Sequence, residues 1–338
     1  MRVLVAGDHF VTPELVIRAL DDDADVTTLM SAWPYEPYGP VAEVDEASGD
    51  EDELIAALDG VEVAVTQMAP FTDRVLAAAD ALRLVVCTRG GPVNVNVAAA
   101  TKRGVVVCAT PGRNAVAAAE HTIALLLAAL RRIPDVHPTV RAGEWRSDLY
   151  ALDAAGHELS GSTVGLVGYG EIGARVARIL RAFDAEVLVY DPYAEQGPGF
   201  VTDVDELFAR SSVVSLHARL TPETRTLVDA ARLARMPRGG VLVNTARGGL
   251  VDYDAVVDAL ESGQLGAAAF DVFATEPPAP TDRLLTASNV VLTPHLAGAT
   301  VQTARRAAEQ AAAAVRAYAR GDRPAAVVNP EAYETVGH

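Results

Sequence analysis

The chain has 338 residues, half of them apolar, and a net charge of −17. That length suits two domains of ordinary size, and the acidity argues against non-specific nucleic-acid binding, which needs a basic face. No uninterrupted apolar run reaches the roughly 18 residues of a membrane span, and MRVLVAGDHF has none of the marks of a signal peptide.

From the N-terminus, Val/Leu-rich runs at 2–7, 61–66, 82–88 and 104–109 read as strands. Helical patterns lie between them near 13–20, 51–58, 72–79 and 94–103, and an acidic run, Asp21-Asp22-Asp23, follows the first. Near-continuous apolar strands alternating with helices predict a parallel sheet covered on both faces. Cys87 and Cys108 end two of these runs. Neither has a His or Cys neighbour at ligand spacing, so both are expected to be reduced core residues, with no metal site and a cytoplasmic setting.

Residues 115–133, AVAAAEHTIALLLAALRRI, predict a long helix, apolar nearly all round and therefore buried between domains or subunits. A second alternating series follows, with strands at 163–168, 186–191, 212–218, 239–245, 266–272 and 289–294, then a last helix at 300–320. The fold class is α/β, two doubly wound parallel-sheet domains, with boundaries near Pro111 and Pro294.

Gly168-Tyr-Gly170-Glu-Ile-Gly173 lies between a strand and a helix, and Asp191 ends the next strand. In that context G-x-G-x-x-G is the dinucleotide fingerprint of a Rossmann domain. Gly168 permits the turn, Gly170 admits a pyrophosphate to the backbone, and Gly173 lets helix and strand pack. The helix N-terminus offers free N–H groups to phosphate. Asp191 can accept from both ribose hydroxyls and would repel a 2′-phosphate, which favours NAD over NADP.

Three polar groups follow apolar strands in this half: Arg247 in NTARGGLVD, Glu276 in FDVFATEPP and His295 in LTPHLAGAT. In open α/β sheets ligands bind beyond the carboxyl ends of the strands, so the three can converge. Together with GLVGYGEIG, YDP, SLHARLTPET and their order along the chain, these segments resemble the D-2-hydroxyacid dehydrogenase family. That family includes phosphoglycerate dehydrogenases, glyoxylate/hydroxypyruvate reductases, phosphite dehydrogenases and formate dehydrogenases. The resemblance implies a Rossmann NAD domain, 111–294, inserted into a flavodoxin-like substrate domain, 1–110 plus 295–338, and a homodimer.

It also implies roles. Arg247 grips the carboxylate of a small anionic 2-oxo or 2-hydroxy acid, His295 is the general acid for reduction, and Glu276 orients the imidazole and favours its protonated form. Glu276 argues against formate dehydrogenase, which carries Gln there. The backbone of Glu171 and Ile172 is expected at the pyrophosphate, His217 and Ala218 at the adenosine, and Thr245 and Asp271 near the nicotinamide. Arg219, where the family usually has Pro, weakens the NAD preference. His121 reads as a packing residue.

Arg-Gly-Gly occurs a second time, as Arg89-Gly90-Gly91 in CTRGGPVNVN. The resemblance places Gly90 and Gly91 at the substrate carboxylate. Arg89 then either reads a second anionic group (phosphate, phosphonate or carboxylate), or faces solvent or a nearby acid. Two rival functions share the scaffold: phosphite oxidation, and an NAD-sensing binding protein of the corepressor type.

Overall fold

A computed structural model describes residues 1–20 and 24–335, so the acidic run Asp21–Asp23 lies outside the described residues. The chain forms two compact units, Met1–Asn114 with Ala299–His338 and Ala115–Gly298.

The first unit holds β1 (Arg2–Gly7), β2 (Asp25–Met30), β3 (Gly39–Val41), β4 (Val44–Ala47), β5 (Val63–Thr66), β6 (Leu84–Cys87) and β7 (Val106–Cys108). Five of these make a sheet in the order β2-β1-β5-β6-β7, parallel at every pairing. Successive residues face opposite sides. Val3, Val5, Val63, Val65, Leu84 and Val86 pack on the alanines of the helix Val301–Ala319. Leu4, Ala6, Ala64, Val85 and Val107 pack on Leu54, Phe71 and Val75. The alanines Ala304, Ala307, Ala308 and Ala311 recur at helical spacing and bring that helix close to the sheet.

The strands β2, β3 and β4 carry no apolar run that would announce them in the sequence. β2 is an edge strand whose side chains are mostly half-buried or exposed, so it lacks the apolar run of a central strand. The antiparallel pair β3–β4 is short, three and four residues, and has no continuous apolar run.

The second unit holds β8 (Thr163–Val167), β9 (Glu186–Tyr190), β10 (Val213–Leu216), β11 (Gly240–Asn244), β12 (Leu265–Phe270) and β13 (Val290–Leu292). They form one parallel sheet in the order β13-β12-β11-β10-β8-β9. Helices Ala115–Leu130 and Glu171–Ala182 cover one face, over Val164, Leu166, Val189 and Val243. The long helix stops at Leu130 rather than running to residue 133, because Arg132 adopts a left-handed backbone and a second helix with Pro134 in its first turn begins at Ile133. Strand order reverses beside β8, so the crevice for a ligand falls at its carboxyl end. Among the described residues, no helix is long and apolar enough to cross a membrane.

Candidate active site

The glycine turn after β8 separates packing from ligand access. A side chain at Gly168, where φ is +101°, would strike the backbone of His217 at 2.6 Å, and one at Gly173 would strike the Gly168 carbonyl at 2.2 Å. Both glycines are required by the protein itself. Gly170 is different: a Cβ there meets nothing within 4 Å. It caps the helix Glu171–Ala182 with no side-chain hydrogen bond. Open space over Gly170 and a bare helix N-terminus are what a pyrophosphate needs. A groove of about 480 Å³ lined by Tyr169, Gly170, Glu171, Ala174, Arg175 and Arg178 adjoins it. The residues therefore fit a dinucleotide.

Asp191 folds its carboxylate against this turn, accepting from the Tyr169 N–H at 2.7 Å and the Tyr193 N–H at 2.9 Å. Each oxygen retains lone-pair capacity for a hydroxyl. His217 turns its ring onto the Ser215 hydroxyl at 3.0 Å, and burial pushes the imidazole down to about 4, so it is neutral. Ala218 follows it, half-buried. Thr245 is buried and shares a 2.7 Å hydrogen bond with Thr122.

Arg247 stands at the turn after β11. The fully buried Asn244 staples that turn, donating to the Arg247 carbonyl at 2.9 Å and accepting from the Ala246 N–H at 3.0 Å. The next residue must be glycine: a Cβ on Gly248 would lie 1.8 Å from the Phe273 carbonyl oxygen. This contact packs the arginine turn directly on the segment that carries Glu276. The Phe273 N–H donates to Glu276 Oε1 at 3.0 Å, and Glu276 Oε2 accepts from His295 Nδ1 at 2.6 Å. The Arg247 side chain is exposed and, among the described residues, donates to its neighbour, the Ala246 carbonyl, at 2.7 Å. Its charge acts weakly on His295, tending to lower it.

The Glu276 hydrogen bond raises His295 above its ordinary value, outweighing burial. Burial pushes Glu276 up, but the hydrogen bond and charge of His295 outweigh it and leave the carboxyl below its usual range. Because Nδ1–H is committed to Glu276, Nε2 is the nitrogen free to carry and release a proton.

Asp271, expected near a nicotinamide, has a different visible duty. It is fully buried. Its Oδ1 accepts from the Thr293 hydroxyl at 2.6 Å and the Leu296 N–H at 2.7 Å, and its Oδ2 from the Ala297 N–H at 2.7 Å. Its carbonyl takes the His295 N–H at 2.8 Å. These bonds hold His295 in a left-handed backbone, φ +55°, a conformation costing a side-chain-bearing residue about 1–2 kcal/mol. His121 completes the cluster, its Nε2 3.0 Å from the Thr293 hydroxyl and 3.5 Å from Asp271. Read from sequence as a packing residue, it instead supports the loop of His295. Burial pushes Asp271 up, but its partners, His121 and Thr293 foremost, outweigh this and keep it below the carboxylate range.

In the first unit, Arg89 does not stand free to read a second anion. It forms an ion pair with Glu46 and lies 3.2 Å from the Met68 sulfur. The unpredicted β4 supplies that acid. Gly90 and Gly91 have open surroundings, with nothing within 4 Å of a Cβ at either.

A family model of the D-isomer specific 2-hydroxyacid dehydrogenase NAD binding domain matches residues 123–297, which include Arg247, Glu276 and His295. A glyoxylate reductase of Thermofilum pendens is 40% identical over 289 residues, 83% of this chain and 82% of that protein. A D-3-phosphoglycerate dehydrogenase of Mycobacterium tuberculosis is 40% identical over 279 residues, 81% of this chain, which spans only 52% of that longer protein. A crystal structure of a Thermus thermophilus protein superposes with a TM-score of 0.83 at 34% identity, covering 97% of this chain and 100% of that one. The chain belongs to the D-isomer specific 2-hydroxyacid dehydrogenase family, NAD-binding oxidoreductases that act on hydroxy and oxo acids.

Replacing Asp271 by Asn sets an amide N–H against one of the backbone N–H groups it now satisfies. A buried unsatisfied donor costs about 1–3 kcal/mol, so urea denaturation at pH 7 is expected to show a loss of that size. The contribution of a carboxylate held below its unfolded value is present above that value, about 3.9, and is lost as pH falls through the lower folded value. The gap between wild type and Asp271→Asn therefore persists to pH 5 and narrows below about 4.

Proposed function

We propose that the protein is an NAD-dependent 2-oxoacid reductase forming the D-2-hydroxy acid. The observation that carries this reading is the Glu276–His295 pair beside Arg247, with Nε2 left free. The Arg247 guanidinium, an unpaired planar fork, binds the substrate carboxylate and draws electron density from the neighbouring carbonyl. His295 Nε2 donates its proton to the 2-oxo oxygen as that oxygen gains charge, and takes it back in oxidation. Glu276 keeps the ring in one tautomer and stabilises the imidazolium between turnovers. When bound at the Gly170 turn, NADH supplies the reducing equivalent to the 2-oxo carbon. Gly170 and the N–H groups of Glu171 and Ile172 hold its phosphates, on the turn that Gly168 and Gly173 shape. Asp191 takes its ribose and excludes a 2′-phosphate, while His217, Ala218 and Thr245 border it. Gly90 and Gly91, where a Cβ would meet nothing within 4 Å, offer backbone to carboxylate oxygens in the first unit.

We also propose a homodimer in a reducing, cytoplasmic setting. Trp145, Tyr150 and Leu152 are 83%, 93% and 96% exposed within one short segment of the second unit, a cluster of large apolar groups of the sort that marks an interface. Cys87 and Cys108 are free and buried.

The test of activity follows NADH absorbance with pyruvate, glyoxylate, hydroxypyruvate, oxaloacetate and 3-phosphohydroxypyruvate. Turnover on at least one is expected, with a loss of about 10²–10⁴ in rate in His295→Ala. In Arg247→Ala, kcat/KM is expected to fall by the equivalent of about 2–5 kcal/mol. NADH binding without turnover of any acid would refute the reading. Light scattering after chromatography is expected to give twice the chain mass for wild type and one chain mass for a Trp145→Glu, Leu152→Asp double variant.

A further inference from the structure

The groove beside the Gly170 turn carries charged side chains that the glycine fingerprint does not account for. Glu171, Arg175 and Arg178 all line it. The two arginines stand four and seven positions after Glu171, so the three share one face of the helix Glu171–Ala182. A chain of net charge −17 repels anions at long range, and local cations must meet an anionic ligand where it binds.

Glu171 opens the helix at the place where the cofactor's phosphates dock. An acid in the first turn suits the helix dipole, yet a carboxylate there repels a pyrophosphate. Arg175 neutralises it: its Nη2 lies 3.7 Å from Glu171, one turn back along the same helix. Helical side chains lean toward the N-terminus, and this ion pair shows that the Arg175 guanidinium has reached the level of the first helical residue. It shares the groove there with Gly170, where a Cβ would meet nothing within 4 Å. The Arg175 Nε is enclosed, so contact with a ligand falls to Nη1 and Nη2, and the side chain as a whole is 40% exposed. Arg178 is exposed and makes no ion pair among the described residues. Two guanidiniums therefore stand against one carboxylate, which leaves the groove a positive excess. An ion pair this exposed contributes little to stability, so Arg175 can exchange the carboxylate for a doubly charged pyrophosphate at little cost.

We propose that Arg175 is a cofactor-binding residue that grips the pyrophosphate through Nη1 and Nη2, with Glu171 holding the guanidinium ready at the level of the turn. A guanidinium presents paired donors to phosphate oxygens, and it adds to the backbone N–H groups of the turn the positive charge that they lack. The inference rests on the dinucleotide reading of the Gly170 turn and is independent of the acid reduced.

The test reads binding rather than turnover. NADH fluorescence on the intact protein gives the affinity for NADH, and competition against it gives those for ADP-ribose, adenosine and oxidised NADP. Arg175→Ala is expected to weaken NADH and ADP-ribose, which carry the pyrophosphate, by about tenfold, and adenosine, which has no phosphate, by less than about twofold. Arg175→Lys is expected to recover part of the loss. Glu171→Gln added to Arg175→Ala is expected to recover a further part, because it removes the carboxylate left unneutralised. Adenosine weakened as much as ADP-ribose, or ADP-ribose not weakened at all, would overturn the proposal. So would a loss confined to NADP, which would place the guanidinium at a 2′-phosphate instead. Wild type that binds neither NADH nor ADP-ribose would remove the dinucleotide reading of the turn itself.

Discussion

The buried carboxylate of Asp271 is the constraint on which the candidate active site depends. A histidine that must present Nε2 while its Nδ1 stays bound to Glu276 has to leave strand geometry abruptly after β13. The chain does so by putting His295 in a left-handed backbone, which a residue with a side chain resists. Four hydrogen bonds from the loop to one residue overcome that resistance: the Thr293 hydroxyl and the Leu296 and Ala297 N–H groups on the carboxylate, and the His295 N–H on the carbonyl. An ionised acceptor roughly doubles the strength of such bonds, and the pull of His121 and Thr293 keeps Asp271 ionised despite complete burial. The same residue that shapes the loop thus adds negative charge near His295, reinforcing the effect of Glu276.

Close backbone approach is the second device. Gly248 lets the Arg247 turn rest on the Phe273 carbonyl, and Phe273 in turn holds Glu276 by its N–H. Arginine, glutamate and histidine come from three different strand ends, yet one glycine contact and two hydrogen bonds link them in series. Displacing any link shifts the others, which is how a site keeps the sub-ångström placement that proton transfer demands. The cofactor turn uses glycine differently. Gly168 and Gly173 have no room for a side chain, whereas Gly170 has room and leaves it empty. Only the last points outward, to a ligand.

The parallel sheets were legible because their strands are buried on both faces and read as unbroken apolar runs. Arg247, Glu276 and His295 stand out as candidates because they follow apolar strands within segments that resemble the family in order; any one of them alone reads as a packing, capping or turn residue. The edge strand β2 and the pair β3–β4 escaped, since half-exposed strands carry no such pattern. A nearby acid was one of the two partners open to Arg89, but nothing local in the sequence singles out Glu46 on β4 as that acid. His121 and Asp271 are 150 positions apart in sequence, and no local spacing announces that one helix and one strand end share a carboxylate.

The pH dependence of kcat/KM for NADH-dependent reduction, in wild type and in Glu276→Gln, tests the account most directly. Reduction requires protonated His295, so the rate falls as pH rises through its value. The hydrogen bond to Glu276 places that value above the ordinary histidine value of about 6.5. With a neutral amide at 276 the fall is predicted to move to lower pH, toward about 6.5. A profile whose alkaline limb stays in place when Glu276 is replaced would contradict His295 as the proton donor tuned by this pair.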